Sequence, residues 1–113
     1  MVEVVWRRGE DMMTTNNIST GKILRILTGL KAEAMQRFKA EIKGIFGSYV
    51  RGEQKAGSDL DVLVEFEDGA NLLDLVGLAM FLEEKLNLKV DVVPESAIRE
   101  ELRDIVMSEK VTV

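Results

Sequence analysis

The chain has 113 residues, 46% of them hydrophobic and 31% charged, with a formal net charge of −5 at neutral pH. This length and hydrophobic content predict one folded domain with its own core and exclude an intrinsically disordered protein. The absence of cysteine and histidine excludes disulfide bonds, thiolate or histidine metal sites and Ser–His chemistry, so any catalysis must use carboxylates, hydroxyls, Lys, Arg or a bound metal.

The first 18 residues are the hardest part of the chain to assign. Apolar residues near the start could form a short edge strand, and translation from Met12 or Met13 would make that stretch an extension. We therefore treat residues 1–18 as an N-terminal extension of uncertain status and residues 19–113 as a single domain.

The first half of this domain shows helical spacing of its apolar residues and then strand-like alternation. The apolar residues on one face of the first helix are Ile23, Leu27, Leu30, Ala34 and Phe38. Gly29 could bend or split the first helix, and Gly47 ends the first strand. The predicted elements are, in order, a helix at residues 20–40, a strand at 43–46, a polar helical turn at 48–54, a loop at 55–57 and a strand at 59–66.

The second half begins with a helix that Asn71 caps and that runs to about Lys85. A strand follows at residues 88–93, and Ser96 is predicted to cap a last helix. Phe81 is expected on the polar side of the longer helix. The predicted buried residues are Leu72, Leu75, Val76, Ala79, Leu82 and Leu86 on that helix, and Ile98, Leu102 and Ile105 on the last one.

Residues 59–93 read as a strand–helix–strand crossover, which predicts two parallel strands joined with a right-handed connection. Asp61 and Asp91 each lie near the start of their strand. If the two strands are neighbours, Asp59, Asp61 and Asp91 converge at one end of the sheet.

Asp59 and Asp61 are two residues apart, so they point to the same side of a strand, roughly 7 Å apart. Two carboxylates held in this way can bind one hard cation or bridge two. The plainer interpretation is a turn residue followed by a partly exposed strand residue. Asp91 is harder to explain in that way, because it places a charge between Val90 and Val92; a metal shared by all three carboxylates would explain it.

Gly47 and Ser48 end the preceding strand and open a helical turn, where backbone N–H groups can face an anion. Arg51 lies one helical turn later and could lean toward the same anion. Each feature has an ordinary alternative, because Gly–Ser also suits a strand-to-helix turn and Arg51 could be a solvated surface residue.

Residues 46–52 (FGSYVRG) and 57–64 (GSDLDVLV) together resemble the DNA-polymerase-β-like nucleotidyltransferases. The resemblance is strongest to the minimal nucleotidyltransferases found as MntA-type antitoxins. The family pattern is Gly–Ser, then Asp-x-Asp about ten residues later, then a third Asp on a later strand. Asp91 matches the third position, and the resemblance covers roughly residues 20–107.

This resemblance implies an α/β (α+β) nucleotidyltransferase fold like the polymerase-β palm, with a small mixed sheet and helices mainly on one face. It implies an ATP donor and two Mg²⁺ ions, with AMP transferred to a tyrosine of a partner HEPN-type toxin and pyrophosphate released. It assigns catalysis and metal binding to Asp59, Asp61 and Asp91. Nucleotide binding is assigned to Gly47, Ser48, Arg51 and Ser58.

The Asp-x-Asp motif and its fold admit three other interpretations. A haloacid-dehalogenase-type phosphatase also uses Asp-x-Asp, but Leu63 stands where such a motif has Thr or Val. A Toprim-type site would need an earlier strand-end Glu, which residues 46–48 do not offer. A non-catalytic binding module of the same fold could neutralise a partner by occlusion, with Phe81 and Trp6 as contact candidates.

The sequence also carries expectations about location and other partners. The longest nearly uncharged apolar stretch, residues 75–82, is too short to span a bilayer, and charges occupy the place of a signal peptide's apolar centre. We therefore expect a cytoplasmic protein with no membrane contact. Because the chain is acidic, direct nucleic-acid binding is not expected, and a homo-oligomer is left open.

Overall fold

The computed structural model describes residues 19–55 and 57–113, which form a four-stranded mixed β-sheet with helices. Along the sheet, Val90–Pro94 (β3) lies beside Leu60–Phe66 (β2), β2 beside Ala40–Phe46 (β1), and β1 beside Val111–Thr112 (β4). β2 and β3 are parallel, and the other two pairs are antiparallel. The predicted small mixed sheet is confirmed, including its parallel pair. The elements are α1 (Thr20–Phe38), β1 (Ala40–Phe46), α2 (Ser48–Arg51), β2 (Leu60–Phe66), α3 (Leu72–Leu86), β3 (Val90–Pro94), a 3₁₀ helix (Glu95–Ala97), α4 (Glu100–Glu109) and β4 (Val111–Thr112).

α1 begins where Ser19 accepts a hydrogen bond from the backbone N–H of Lys22, which satisfies one of the free donors at the helix start. It ends at Lys39, whose φ of 56° turns the chain into β1. The helix is continuous through Gly29, so the predicted bend or split is wrong. Its predicted apolar face is confirmed, with Ile23 and Leu27 fully buried against the sheet.

The main core lies between α1, α3 and one face of the sheet. Leu60, Val62 and Val64 of β2 belong to this core. Because strand side chains alternate in direction, the residues between them, including Asp61, face the opposite side of the sheet. The fold therefore positions Asp61 on the sheet face that α1 and α3 leave free.

α3 begins with a capping box, in which Asn71 and Asp74 each accept the other's backbone N–H. The predicted N-cap is thus confirmed, as is the burial of Leu82 and Leu86, and Leu75 and Ala79 pack partly buried against the core. The prediction is wrong for Leu72, Val76 and Phe81, because the helix is rotated toward Phe81. Phe81 is only 5% exposed, whereas Leu72 is 73% exposed and Val76 is 45% exposed. The buried residues are Leu78, Phe81, Leu82 and Leu86.

Phe81 is buried because of the contact between α1 and α3. The Phe38 ring lies 5.5 Å from the Phe81 ring and directly over Gly77, where any side chain would collide with it. α3 carries apolar residues on most of its surface, so two overlapping stripes of apolar residues both have the spacing of a buried helix face. The docking of Phe38 over Gly77 selects the stripe that contains Phe81.

The C-terminal region departs furthest from the prediction. Ser96 lies inside the 3₁₀ helix and α4 begins after Arg99, so Ser96 does not cap the last helix. Leu102 and Ile105 are exposed rather than buried. β4 was not predicted, because two residues are too few to show a strand pattern; it pairs with Gly44 and Ile45 of β1.

No helix in residues 19–55 and 57–113 is long and apolar enough to cross a bilayer. The expectations for residues 1–18, including the edge strand and the contact role of Trp6, lie outside the described residues.

Candidate active site

The candidate site lies where three neighbouring strands present their ends at one edge of the sheet. Phe46, the last residue of β1, pairs with Asp61 of β2, and Asp61 pairs with Asp91 of β3. Because β2 and β3 are parallel and in register at these positions, the two carboxylates project from adjacent points on the same face.

Asp61 is the central carboxylate of this group and is half-buried. Burial raises the pKa of Asp61 to about 6, and the charges of Asp91 and Asp59 add to the increase. Asp59 and Asp91, the other two carboxylates that the sequence singled out, therefore each lie close enough to Asp61 for their charges to act on it.

Asp59 lies just before β2 and is exposed, next to Leu60, whose backbone N–H donates to the carbonyl of Lys89. It also faces Tyr49 of α2: burial raises the pKa of the Tyr49 phenol, and the charge of Asp59 raises it further. Tyr49 is almost fully buried, and its backbone carbonyl accepts from the Thr20 hydroxyl. These contacts hold α2 beside the acidic side chains.

Gly47 joins β1 to α2 with a φ of 86°, a conformation that residues with a side chain rarely adopt. A Cβ at this position would collide with the Asp61 carboxylate. Glycine is thus required twice, once for the turn and once for the close approach to Asp61. Ser48 begins α2 immediately afterwards and is partly buried.

Ser58, the fourth residue assigned to nucleotide binding, lies in the loop before β2. Its hydroxyl accepts the backbone N–H of Lys55 at 2.8 Å, and its own N–H donates to the Lys55 carbonyl at 2.9 Å. In this conformation Ser58 stabilises a turn that leads into Asp59.

Glu109, at the end of α4, is a site residue that the sequence did not reveal. Its Oε1 accepts the backbone N–H of Gly47 at 3.1 Å. The Nη1 of Arg51 lies 3.1 Å from both Glu109 carboxylate oxygens, and the Nε of Arg51 lies 2.8 Å from Glu53. Arg51 is therefore ion-paired in this structure, and 62 positions separate Gly47 from Glu109 in the sequence.

The donor chemistry of Asp59, Asp61 and Asp91 suits a hard divalent cation, because such ions prefer carboxylate oxygens. Their mutual repulsion is what a bound cation would remove. Within residues 19–55 and 57–113, however, no three acidic side chains are already arranged to hold a metal ion. The residue types fit a cation, and binding would require the side chains to turn toward it.

Comparison with known proteins gives consistent matches. The model of the nucleotidyltransferase domain family matches residues 27–113. The protein adenylyltransferase MntA of Thermococcus cleftensis is 44% identical over 92 residues, which cover 81% of this chain and 93% of that protein.

Two solved structures share the fold. One, assigned as a minimal nucleotidyltransferase, has a TM-score of 0.72 and 34% identity, and the match covers 88% of this chain and all of that one. The other is a chain from a toxin–antitoxin crystal structure with AMP-PNP, with a TM-score of 0.58 and 25% identity over 72% of this chain and 67% of that one. Since the family model spans β1 to β4 and the Thermococcus protein aligns over nearly its whole length, this chain belongs to the nucleotidyltransferase domain family and is a nucleotidyltransferase.

Proposed function

We propose that this chain transfers AMP from ATP to a tyrosine hydroxyl of a partner protein, and that it is the antitoxin of a cytoplasmic toxin–antitoxin pair with a HEPN-type toxin. The observation that carries the proposal is the pairing of Asp61 with Asp91 beside Gly47, at one edge of the sheet. The similarity to a protein adenylyltransferase supports AMP as the transferred group. The fold shared with a toxin–antitoxin chain solved with AMP-PNP supports ATP and a protein partner.

In this proposal Asp59 and Asp61 would hold two Mg²⁺ ions and Asp91 would share one of them, since carboxylate oxygens suit such ions. When bound, such ions neutralise negative charge on the phosphate oxygens during transfer. The raised pKa of Asp61 supports the assignment, because it comes from burial and from the charges of Asp91 and Asp59, which the charge of Arg51 offsets only in part.

The protein's own groups orient the nucleotide and accept the proton of the attacking hydroxyl. Gly47, which has no side chain to block a close approach, and Ser48 contact the triphosphate, while Arg51 and Ser58 lie at its border. The acceptor hydroxyl oxygen forms a bond to the α-phosphorus, the bond between that phosphorus and the bridging oxygen breaks, and pyrophosphate leaves. Asp91 enters from the neighbouring strand, and its carboxylate takes the proton of the attacking hydroxyl.

The alternative is a binding module that neutralises its partner by occlusion alone. One of its two contact candidates, Phe81, is buried between α1 and α3 and is not available to a partner. The other, Trp6, lies outside the described residues. The acidic cluster has no role in this alternative, so catalysis explains more of the observed geometry.

The decisive experiment incubates the chain with its co-expressed partner, Mg²⁺ and ATP labelled at the α-phosphate, and measures label on the partner. Wild type should label it, and Asp61→Asn should not. Asp91→Asn should keep its affinity for Mg²⁺–ATP within a few fold but transfer about 10²–10⁴ times more slowly. Stable partner binding and inhibition by wild type without any label would favour occlusion instead.

A further inference from the structure

We infer that Glu109 occupies, in the nucleotide-free protein, an anion site formed by Gly47 and Arg51 to which a phosphate group of the nucleotide binds. Glu109 would then compete with the nucleotide for this site and lower its apparent affinity. The inference rests on the proposed function for the identity of the competing anion.

The contacts of Glu109 are those a phosphate oxygen would make. A carboxylate and a phosphate both accept charge-assisted hydrogen bonds from backbone N–H groups and from guanidinium groups. Glu109 Oε1 accepts from the N–H of Gly47 and from Nη1 of Arg51, each at 3.1 Å, and Oε2 lies 3.1 Å from the same Nη1. One side chain therefore fills both donors of the site.

Pairing with Arg51 does not by itself explain why Glu109 lies here. Glu53, two residues from Arg51, already pairs with the Nε of Arg51 at 2.8 Å. Only Glu109 also reaches the N–H of Gly47, and the Glu109 side chain is 23% exposed, whereas that of Glu53 is 64% exposed. The Gly47 contact is thus the feature that separates an occupied anion site from a surface ion pair.

Glu109 also makes one unfavourable electrostatic interaction at this position, with Asp61. Glu109 lies close enough to Asp61 for their charges to repel, and Asp59 and Asp91 surround the same carboxylate. Glu109 therefore adds another negative charge to an acidic cluster. A phosphate group accompanied by its cations would satisfy Gly47 and Arg51 without that repulsion, so the nucleotide can displace the side chain.

The test compares four proteins: wild type, Glu109→Gln, Glu109→Ala and the matched control Glu53→Gln. Calorimetric titration measures the binding of a non-hydrolysable ATP analogue with saturating Mg²⁺ and, separately, of pyrophosphate alone. If Glu109 fills the site about 90% of the time, its removal should tighten binding about tenfold, because apparent affinity scales with the vacant fraction. Glu109→Gln should show part of this gain, and Glu53→Gln should stay within about twofold of wild type.

A structural readout accompanies the titrations. The amide resonance of Gly47 should shift in Glu109→Gln and in nucleotide-bound wild type but stay near its original position in Glu53→Gln. Far-ultraviolet circular dichroism checks the fold of each variant. If Glu109→Ala fails to fold, Glu109→Gln, which keeps the length of the side chain, decides the question.

The outcomes distinguish this inference from the proposed function. If wild type binds the ATP analogue and the Glu109 variants bind no tighter, the inference is wrong and the proposed function stands. A gain in Glu53→Gln equal to that in Glu109→Gln also overturns it, since relief of charge at Arg51 would explain both. If no protein binds the analogue but Glu109→Ala binds pyrophosphate more tightly than wild type, the competition stands and the proposed function fails. If no variant binds either ligand, both are wrong.

Discussion

Asp61 is half-buried and lies beside two other carboxylates, Asp91 and Asp59, so its charge opposes folding when no cation is bound. Its pKa is about 6 in the folded protein, against a reference value of 3.8. The folded state therefore binds this proton more tightly than the unfolded state does. The destabilising contribution is absent below pH 3.8, grows as the pH rises through this window and is complete above pH 6.

We expect Asp61→Asn to stabilise the metal-free protein at pH 7.5 but not at pH 4. A shift of two pKa units corresponds to about 3 kcal/mol at most, and partial exposure of Asp61 reduces the expected gain to about 1 kcal/mol. Urea unfolding in the presence of a chelator measures the effect at both pH values. Asp68→Asn, which removes a charge from an exposed turn, is the control and should change little. Loss of stability in Asp61→Asn at both pH values would mean that Asp61 has a structural role.

Gly47 supports a second prediction at the residue scale, with Gly52 as its matched control. Both have positive φ, 86° and 73°, but only a Cβ at Gly47 would meet a neighbour, the Asp61 carboxylate. Gly52→Ala should cost about 1–2 kcal/mol of stability from backbone strain alone. Gly47→Ala should cost more and should also weaken nucleotide binding, as thermal unfolding and calorimetry would measure. Equal effects of the two substitutions on both measurements would contradict the close contact between Gly47 and Asp61.

The orientation of α3 shows how one contact between elements decides which residues are buried. Phe81 packs on the Phe38 ring, and the guanidinium of Arg37 lies about 5 Å from both ring centres. Leu73, on the same helix, is 79% exposed. The helix as a whole is so apolar that its own sequence does not show which of Phe81 and Leu73 is buried.

Phe81→Ala should destabilise the protein by about 3 kcal/mol, because it leaves a cavity between α1 and α3. Leu73→Ala should change stability by less than about 0.5 kcal/mol, because its side chain is already in water. Chemical denaturation of the two variants beside wild type tests the orientation of the helix directly. The reverse order of effects would mean that α3 turns a different face to the core from the one that contains Phe81.

For the molecule as a whole, the sheet order brings together residues that are distant in the chain. Gly47 follows the end of β1, Asp61 lies in β2 and Asp91 lies in β3. Glu109 lies at the end of α4, which leads into β4. Ligands that bind at this junction contact several elements at once and should stabilise the entire fold through linkage.

Mg²⁺ and a non-hydrolysable ATP analogue should therefore raise the melting temperature more together than either does alone. At about 100 times the dissociation constant, a ligand contributes about 2.7 kcal/mol, which corresponds to a shift on the order of 10 °C for a domain of this size. Differential scanning fluorimetry measures the shift, and Asp61→Asn should lose the joint effect. A melting curve that stays unchanged with both ligands at saturation would exclude a shared site for metal and nucleotide.

The sequence by itself determined the features that depend on neighbouring residues along the chain. The helical spacing around Ile23 and Leu27, the Asn71 cap and the crossover from β2 to β3 are local patterns, and the structure confirms each of them. The Gly–Ser and Asp-x-Asp motifs likewise carried the resemblance to the nucleotidyltransferases, and the match to the nucleotidyltransferase domain family confirms it.

Tertiary structure alone decided the features that depend on distant contacts. Phe81 is buried because the Phe38 ring fits over Gly77, and no periodicity within α3 carries that information. β4 forms because its two residues pair with the free side of β1. Glu109 contacts Gly47 because α4 ends beside it. In each case a short or ambiguous segment takes the conformation that its packing partner imposes, since local propensity there is too weak to select one.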